Sequence, residues 1–223
     1  MGELEAPERA KLFERFGATF AAGASIYREG DDATTCFLIQ EGRVRLVKRV
    51  RSTERSLTVL RPGDVFGEDA LLTGATRSAS ALALTELSVL ALDRPTFGVL
   101  LTGNAEVATR LVEQLVRRLR DAEEQLENAM LKDHPSRVVN TLLRLARERD
   151  PGADGTRSLQ LSPLELSSRV GLDVDTVKRV VQQLRDGGYL RIRDERIELP
   201  DVGALRSLYD LLGRKEEVRG AGR

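Results

Sequence analysis

Two stretches of the chain hold side chains whose types and spacing can do chemistry. The first is Phe66-Gly67-Glu68-Asp69-Ala70-Leu71-Leu72-Thr73-Gly74-Ala75-Thr76-Arg77-Ser78-Ala79. A glycine beside a carboxylate opens a short helical turn, and an arginine with a small hydroxyl residue follows. Backbone N–H groups at a helical N-terminus face an anion. The Arg77 fork can grip a phosphate, and Glu68 can accept from a pair of hydroxyls. The segment is therefore a candidate cradle for an anion and a sugar. On chemistry alone a plainer reading stands beside it, with Glu68 and Arg77 as a surface ion pair that contributes little.

The second stretch begins at Ser162. Ser162 with Glu165 three residues later is a capping box, and Pro163 suits the first helical position. Gly171 can end that helix in a left-handed conformation. Asp173 caps a second helix from Val174 to Asp186, with Val177, Val180, Val181 and Leu184 inward and Asp175, Lys178, Arg179, Gln182 and Arg185 outward. Two short helices around a glycine turn make a helix-turn-helix. Residues 189–199 alternate around Asp194-Glu195 as a small hairpin wing. Spacing alone fits a structural corner equally well, and the outward residues favour DNA. Asp175, Lys178 and Arg179 lie in the turns where a recognition helix meets base edges. Arg179 can pair with guanine and Asp175 can accept from a cytosine amine. Arg191, Arg193 and Arg196 on the wing, with Ser162 and Thr176 at helix starts, can bind phosphates. Asp186, Asp194 and Glu195 oppose a non-specific grip, so affinity is expected to depend on dimerisation and base contacts.

A long helix from Asn104 to about Lys132 must position both stretches. Ala108, Val112, Leu115, Leu119, Ala122, Leu126 and Ala129 follow the alternating four-three spacing of a coiled-coil seam. Charged residues flank it, among them Glu113, Arg117, Arg118, Asp121, Glu123, Glu124 and Glu127. The stripe suits pairing with another helix. No second heptad stretch exists in the chain, so the natural partner is another copy. A solvated helix lying across its own domain is the alternative.

Before that helix, residues 6–16 fit a short helix. Cys36–Ile39, Val44–Val50, Leu57–Leu60, Ser80–Ala83 and Leu87–Leu92 fit strands punctuated by Gly and Asp turns. Short strands at this spacing argue a sandwich or barrel of jelly-roll type. After it, Asp133-His134-Pro135 breaks the helix, and Pro135 starts another through about Arg149. His134 reads as a hinge or cap residue, and 150–157 as a loop. The 223 residues are 41% hydrophobic and 31% charged, with zero net charge. That balance fits a globular chain and puts any polyanion binding down to local charge placement. No apolar run approaches the roughly 20 residues of a membrane span, so no membrane partner is expected and the cytoplasm is the default setting. One cysteine and one histidine exclude an internal disulfide, a Cys-rich cluster and a His-rich metal centre. No nucleophile–base pair points to an enzyme.

The 66–79 segment resembles the phosphate-binding cassette of the cyclic-nucleotide-binding domain. The run Gly30-Asp31-Asp32-Ala33-Thr34-Thr35-Cys36-Phe37-Leu38-Ile39-Gln40-Glu41-Gly42-Arg43-Val44 resembles the Gly-Asp…Phe-x-Ile-x-x-Gly-x-Val signature of the same domain. The resemblance implies that Glu68 takes a ribose 2′-hydroxyl and Arg77 the cyclic phosphate. Gly67, Asp69, Ala70, Ser78 and Ala79 would complete the pocket. The C-terminal part is similar to the winged helix-turn-helix of the cyclic AMP receptor and fumarate-nitrate regulator superfamily, and the order of parts matches over nearly the whole chain. The implied architecture is α+β. It has a double-stranded β-helix (jelly-roll) at 1–103, a dimerisation helix at 104–133 and a winged helix-turn-helix at 134–223.

The implied function is a homodimeric transcription regulator with no prosthetic group. It would read a pseudo-palindromic operator in double-stranded DNA, respond to cyclic AMP first or cyclic GMP second, and have RNA polymerase as a partner. The family's Glu-x-x-x-Arg pair is Asp175 and Arg179 here, and Val174 replaces an additional arginine of the cyclic AMP receptor. The Thr-Ser pair that touches adenine in that receptor is replaced by Ala122 and Glu123. Ala122 cannot hydrogen-bond, whereas Glu123 can accept from an exocyclic amine or simply flank the seam. Two other readings stay open. One is a regulator of this family that needs no ligand, and the other is a nucleotide sensor acting through protein contacts. Cys36 reads as a small core hydrophobe.

Overall fold

The computed structural model describes residues 6–50, 53–194 and 196–220. The wing-turn residue Glu195 and the outermost residues of the two expected terminal domains lie outside that range. The chain divides into two units, with the division between Arg120 and Asp121, inside the long helix.

In the first unit, helix α1 (Ala6–Phe16) leads into strands β1 (Gly17–Phe20), β2 (Ser25–Tyr27), β3 (Thr35–Glu41), β4 (Val44–Val50), β5 (Thr53–Leu60) and β6 (Val65–Phe66). Helix α2 (Glu68–Thr73), strands β7 (Ser80–Ala83) and β8 (Leu87–Asp93) and helix α3 (Arg94–Gly103) follow. The strands pair in two four-stranded sheets, β1-β8-β3-β6 and β2-β7-β4-β5, with antiparallel neighbours as a jelly roll requires. Burial alternates along the strands, as in Ser80–Ala83, because successive side chains point to opposite faces. Phe37, Ile39, Val44, Phe66, Ala81 and Val89 fill the core between the sheets. Tyr27, Phe37 and Phe66 stack there with ring centroids 5.1–6.1 Å apart. Cys36 is fully buried, and burial pushes its thiol up to about 12, so it stays a neutral apolar side chain.

Helix α4 (Ala105–Met130) starts where the Asn104 side chain accepts from the Val107 N–H. Its seam residues Val112, Leu119 and Leu126 are 59%, 61% and 67% exposed. A second line, about 100° round the helix from the seam, carries Leu111, Gln114, Glu124 and Asn128, all buried, with Arg118 and Asp121 half-buried between them. Arg118, Asp121 and Glu124 are thus not the seam-flanking charges that the heptad spacing implies. They turn inward because they fall on a second line of three- and four-residue steps.

The second unit comprises the last turns of α4 and helices α5 (His134–Arg147), α6 (Pro163–Val170), α7 (Val174–Asp186) and α8 (Val202–Gly220). Strands β9 (Arg157–Leu159), β10 (Arg191–Arg193) and β11 (Arg196–Leu199) pair in the order β10-β11-β9. Asp133 caps α5, with its carboxylate accepting from the Ser136 N–H at 2.7 Å. His134 is therefore the first helical residue and not the cap. The Ser162–Glu165 capping box is fully formed, and Gly171 ends α6 at φ 70°. Val138, Leu142, Leu166, Val177, Leu190, Leu199 and Leu205 make a single core. The last turns of α4 are tied to α5 and α6 by polar groups: Asn128 donates to Thr141 at 2.9 Å, Arg144 pairs with Glu124 at 2.9 Å, and Arg169 pairs with Asp121 at 2.8 Å.

Leu142 is fully buried where α5 meets the helix-turn-helix. Leu142→Ala is expected to lose about 2–5 kcal/mol of stability by urea unfolding, because close neighbours cannot collapse into the cavity.

Candidate functional site

The 66–79 segment forms a turn that only glycine permits at its head. Gly67 sits at φ 76°, and a Cβ there would come within 2.3 Å of Arg77 Nη1. Arg77 is 3% exposed. Its Nη1 donates to the Gly67 carbonyl at 2.9 Å, its Nη2 donates to the Thr35 carbonyl at 2.5 Å, and its guanidinium lies 4.2 Å over the Tyr27 ring. The carbonyls and the ring compensate part of the cost of burying that charge.

Glu68 is also 3% exposed. Its Oε1 accepts from Arg118 Nη1 at 2.6 Å, and Arg118 Nη2 donates to the Val65 carbonyl at 2.5 Å. Three buried atoms of these residues have no hydrogen-bond partner among the described residues: Glu68 Oε2, Arg77 Nε and Arg118 Nε. Burial holds the Glu68 carboxyl above its usual value, although Arg118 pulls the other way. The surface ion pair that chemistry alone allowed is ruled out, because both residues are buried and Glu68 pairs with Arg118 instead.

The remaining cassette residues divide by burial. Ala70 and Ala79 are buried, whereas Asp69 and Ser78 are exposed, and the Ser78 hydroxyl donates to the Asp69 carboxylate. Ala122 and Glu123 stand exposed on α4, one turn beyond Arg118. Arg118 and Gln114 escaped the sequence reading. Their signal was available as the polar line Leu111, Gln114, Arg118, Asp121, but nothing in the spacing says which strand that line meets.

In the second unit Asp175, Lys178, Arg179 and Gln182 share the exposed face of α7, while Val174 and Thr176 are half-buried. Asp173 caps the helix by accepting from the Thr176 N–H at 2.8 Å. Gln182 donates to both carboxylate oxygens of Asp186, at 2.7 and 2.9 Å. The Ser162 hydroxyl is engaged in its own capping box with Glu165. On the wing Arg191, Arg193 and Arg196 are exposed, and Arg193 lies directly opposite Arg196. Two like charges in that register are unfavourable by themselves and favour an anion between them. Among the described residues no cluster fit to hold a metal ion occurs, and no helix is long and apolar enough to cross a membrane.

Residues 18–104 match the cyclic nucleotide-binding domain, and residues 136–208 match the Crp-like helix-turn-helix domain. The chain is 32% identical over 209 residues to the cyclic AMP receptor protein of Thermus thermophilus, covering 91% of this chain and 93% of that one. It is 26% identical to the CRP-like cAMP-activated global transcriptional regulator of Mycobacterium tuberculosis, covering 82% and 83%. Among solved structures it is similar to a CRP/FNR-family transcriptional regulator of Thermus thermophilus. There the TM-score is 0.58 at 27% identity, with 87% of this chain and 98% of that one covered.

Because the folded-state carboxyl of Glu68 lies above the usual 4.5, its contribution to stability is full below that pH. The contribution is lost as pH rises through the raised value. The stability difference between wild type and Glu68→Gln, from urea midpoints, is therefore expected to fall as pH increases from about 4.5 toward neutrality. A difference that grows with pH would mean that the Arg118 attraction outweighs desolvation.

Proposed function

We propose, for a chain that belongs to the cyclic AMP receptor and fumarate-nitrate regulator (CRP/FNR) family of transcription regulators, a homodimer whose grip on DNA is set by a cyclic purine nucleotide. The family regulates transcription by binding DNA and catalyses no reaction. This chain has both of its domains, for cyclic nucleotide and for DNA. One observation carries the ligand reading: among the buried atoms left without partners are Glu68 Oε2 and Arg77 Nε, which belong to the two residues expected to hold a ribose hydroxyl and a cyclic phosphate. A buried acceptor and a buried donor without partners are costly, and a hydroxyl and an anionic oxygen would satisfy them. The names of the Thermus and Mycobacterium relatives put cyclic AMP first.

In this reading Glu68 keeps its pair with Arg118 through Oε1 and offers Oε2 to the sugar. Arg77 offers Nε to the phosphate. Glu123 accepts from the exocyclic amine of the base, which leaves cyclic GMP as the second candidate, and Ala122 only packs. The seam on α4 pairs two copies. Their α7 helices then read half-sites about one DNA turn, roughly 34 Å, apart. Arg179 and Asp175 read bases, while Lys178 and the wing arginines steady the backbone. The nucleotide shifts a two-state equilibrium of the paired helices by its differential affinity. RNA polymerase as a partner and a cytoplasmic setting complete the proposal.

One observation favours a second reading, a regulator that needs no ligand. Arg77 already gives Nη1 and Nη2 to the chain's own carbonyls, so a phosphate must compete with them.

Titration calorimetry with cyclic AMP and cyclic GMP, and DNA retention with and without each, separates the two. Nucleotide binding that is lost in Arg77→Leu and that raises operator affinity supports the first reading. Unchanged DNA affinity and no heat with either nucleotide supports the second. Arg179→Ala is expected to cost about 1–3 kcal/mol in operator binding and to relax base preference at one position per half-site, in a randomised-site selection.

A further inference from the structure

Strand β6 has only two residues and lies at the edge of its sheet, paired with β3 alone. The register sets Val65 opposite Leu38 and Phe66 opposite Phe37. Asp64 and Gly63 face β3, with the Asp64 carbonyl accepting from Ile39 N–H at 3.0 Å and the Gly63 N–H donating to the Ile39 carbonyl at 2.9 Å. The peptide groups of Val65 therefore face the free edge, since alternate residues of a strand point opposite ways. Val65 is nevertheless buried, so both groups need partners.

Gln114 supplies them. Its Oε1 accepts from the Val65 N–H at 2.8 Å, and its Nε2 donates to the Val65 carbonyl at 2.6 Å. One carboxamide thus does what a neighbouring strand would do, and it is itself 4% exposed. One helical turn further on, Arg118 reaches both the same carbonyl and Glu68. Only Phe66 and Gly67 separate Val65 from Glu68. Phe66 is locked in the aromatic stack, and the Gly67 carbonyl is held by Arg77.

We propose that Gln114 is a positioning residue that sets the depth and register of Glu68 in the pocket, and thereby selects ribose over 2′-deoxyribose in a bound cyclic nucleotide. The proposal rests on the ligand reading above. Arg118 is long and can follow Glu68 if the turn shifts. Gln114 is short and grips the backbone at both ends of one residue, so it fixes where the turn begins. Loss of that grip frees the start of the turn to slide, and Glu68 Oε2 no longer meets the 2′-hydroxyl at hydrogen-bond distance. The phosphate contact from Arg77 is anchored separately, to Thr35 and Gly67, and is expected to survive.

The test compares cyclic AMP with 2′-deoxy cyclic AMP by titration calorimetry on the full chain, in wild type, Gln114→Leu and Gln114→Glu. A hydrogen bond to a buried carboxylate corresponds to a ribose preference of roughly tenfold or more in wild type. Gln114→Leu is expected to bring that ratio close to one while 2′-deoxy cyclic AMP still binds. Gln114→Glu keeps the acceptor for the Val65 N–H and loses the donor, so its ratio should fall between the two. A role confined to folding would lower both affinities together and leave the ratio unchanged. Wild-type preference that persists in Gln114→Leu overturns the role given to Gln114. If Gln114→Leu does not fold, Gln114→Glu decides, and a ratio equal to wild type overturns the proposal there too. Absence of nucleotide binding or of any ribose preference in wild type overturns the ligand reading itself and this proposal with it.

Discussion

Helix α4 buries a polar line and exposes an apolar one, the reverse of what a helix lying on its own domain does. The polar line is satisfied in place: Gln114 and Arg118 hold the edge of the jelly roll, and Glu124 and Asn128 hold α5. The apolar line has no such partner among the described residues, and Val112, Leu115, Val116, Leu119 and Leu126 are between 41% and 67% exposed. Full burial of a side chain of this size contributes roughly 1.5–3 kcal/mol. In the proposed dimer, several such side chains at seam spacing would be covered by the same helix of a second copy. The alternative of a solvated helix lying across its own domain does not fit these exposures, because such a helix would turn its apolar side inward.

The proposed nucleotide pocket follows from the same helix. A carboxylate and a guanidinium at 3% exposure are expensive to bury. Each is held by groups that come from distant parts of the chain: Glu68 by Arg118, and Arg77 by Thr35, Gly67 and Tyr27. A pocket assembled this way is preorganised, since neither charge can leave without exposing the other groups to unmet hydrogen bonds. It is also tied to α4 through Glu68 and Val65. A ligand that moves the turn therefore bears on the helix that carries the seam. Coupling of this kind needs no long chain of contacts, only a turn with two arrangements that a ligand stabilises unequally.

Features that depend on local sequence were legible before any coordinates. The capping box at Ser162–Glu165, the closure at Gly171, the Asp173 cap and the start of α4 at Asn104 all follow from side chains within a few residues of the backbone groups they satisfy. The longer strands were legible as runs of Val, Leu, Ile and Thr bounded by Gly and Asp turns. Strands β1, β2, β6 and β9 were not, because two to four residues carry little pattern of their own, although the equally short β7, β10 and β11 were. Helix α3 carried legible end signals in its Asp93 cap, Pro95 and Gly103, whereas α8 was hidden by its weak amphipathic pattern. In the pocket, Glu68 and Arg77 were legible as a pair of residue types, but their partners were not. Arg118 lies 50 residues from Glu68 and Thr35 lies 42 from Arg77, and no local rule connects them.

Sedimentation equilibrium of the full chain at micromolar concentration tests the two-faced helix most directly. The account predicts a particle of twice the 24.7 kDa of one chain, with or without nucleotide. A particle of 24.7 kDa at that concentration would contradict it, because the apolar line of α4 would then stand in water with nothing to cover it.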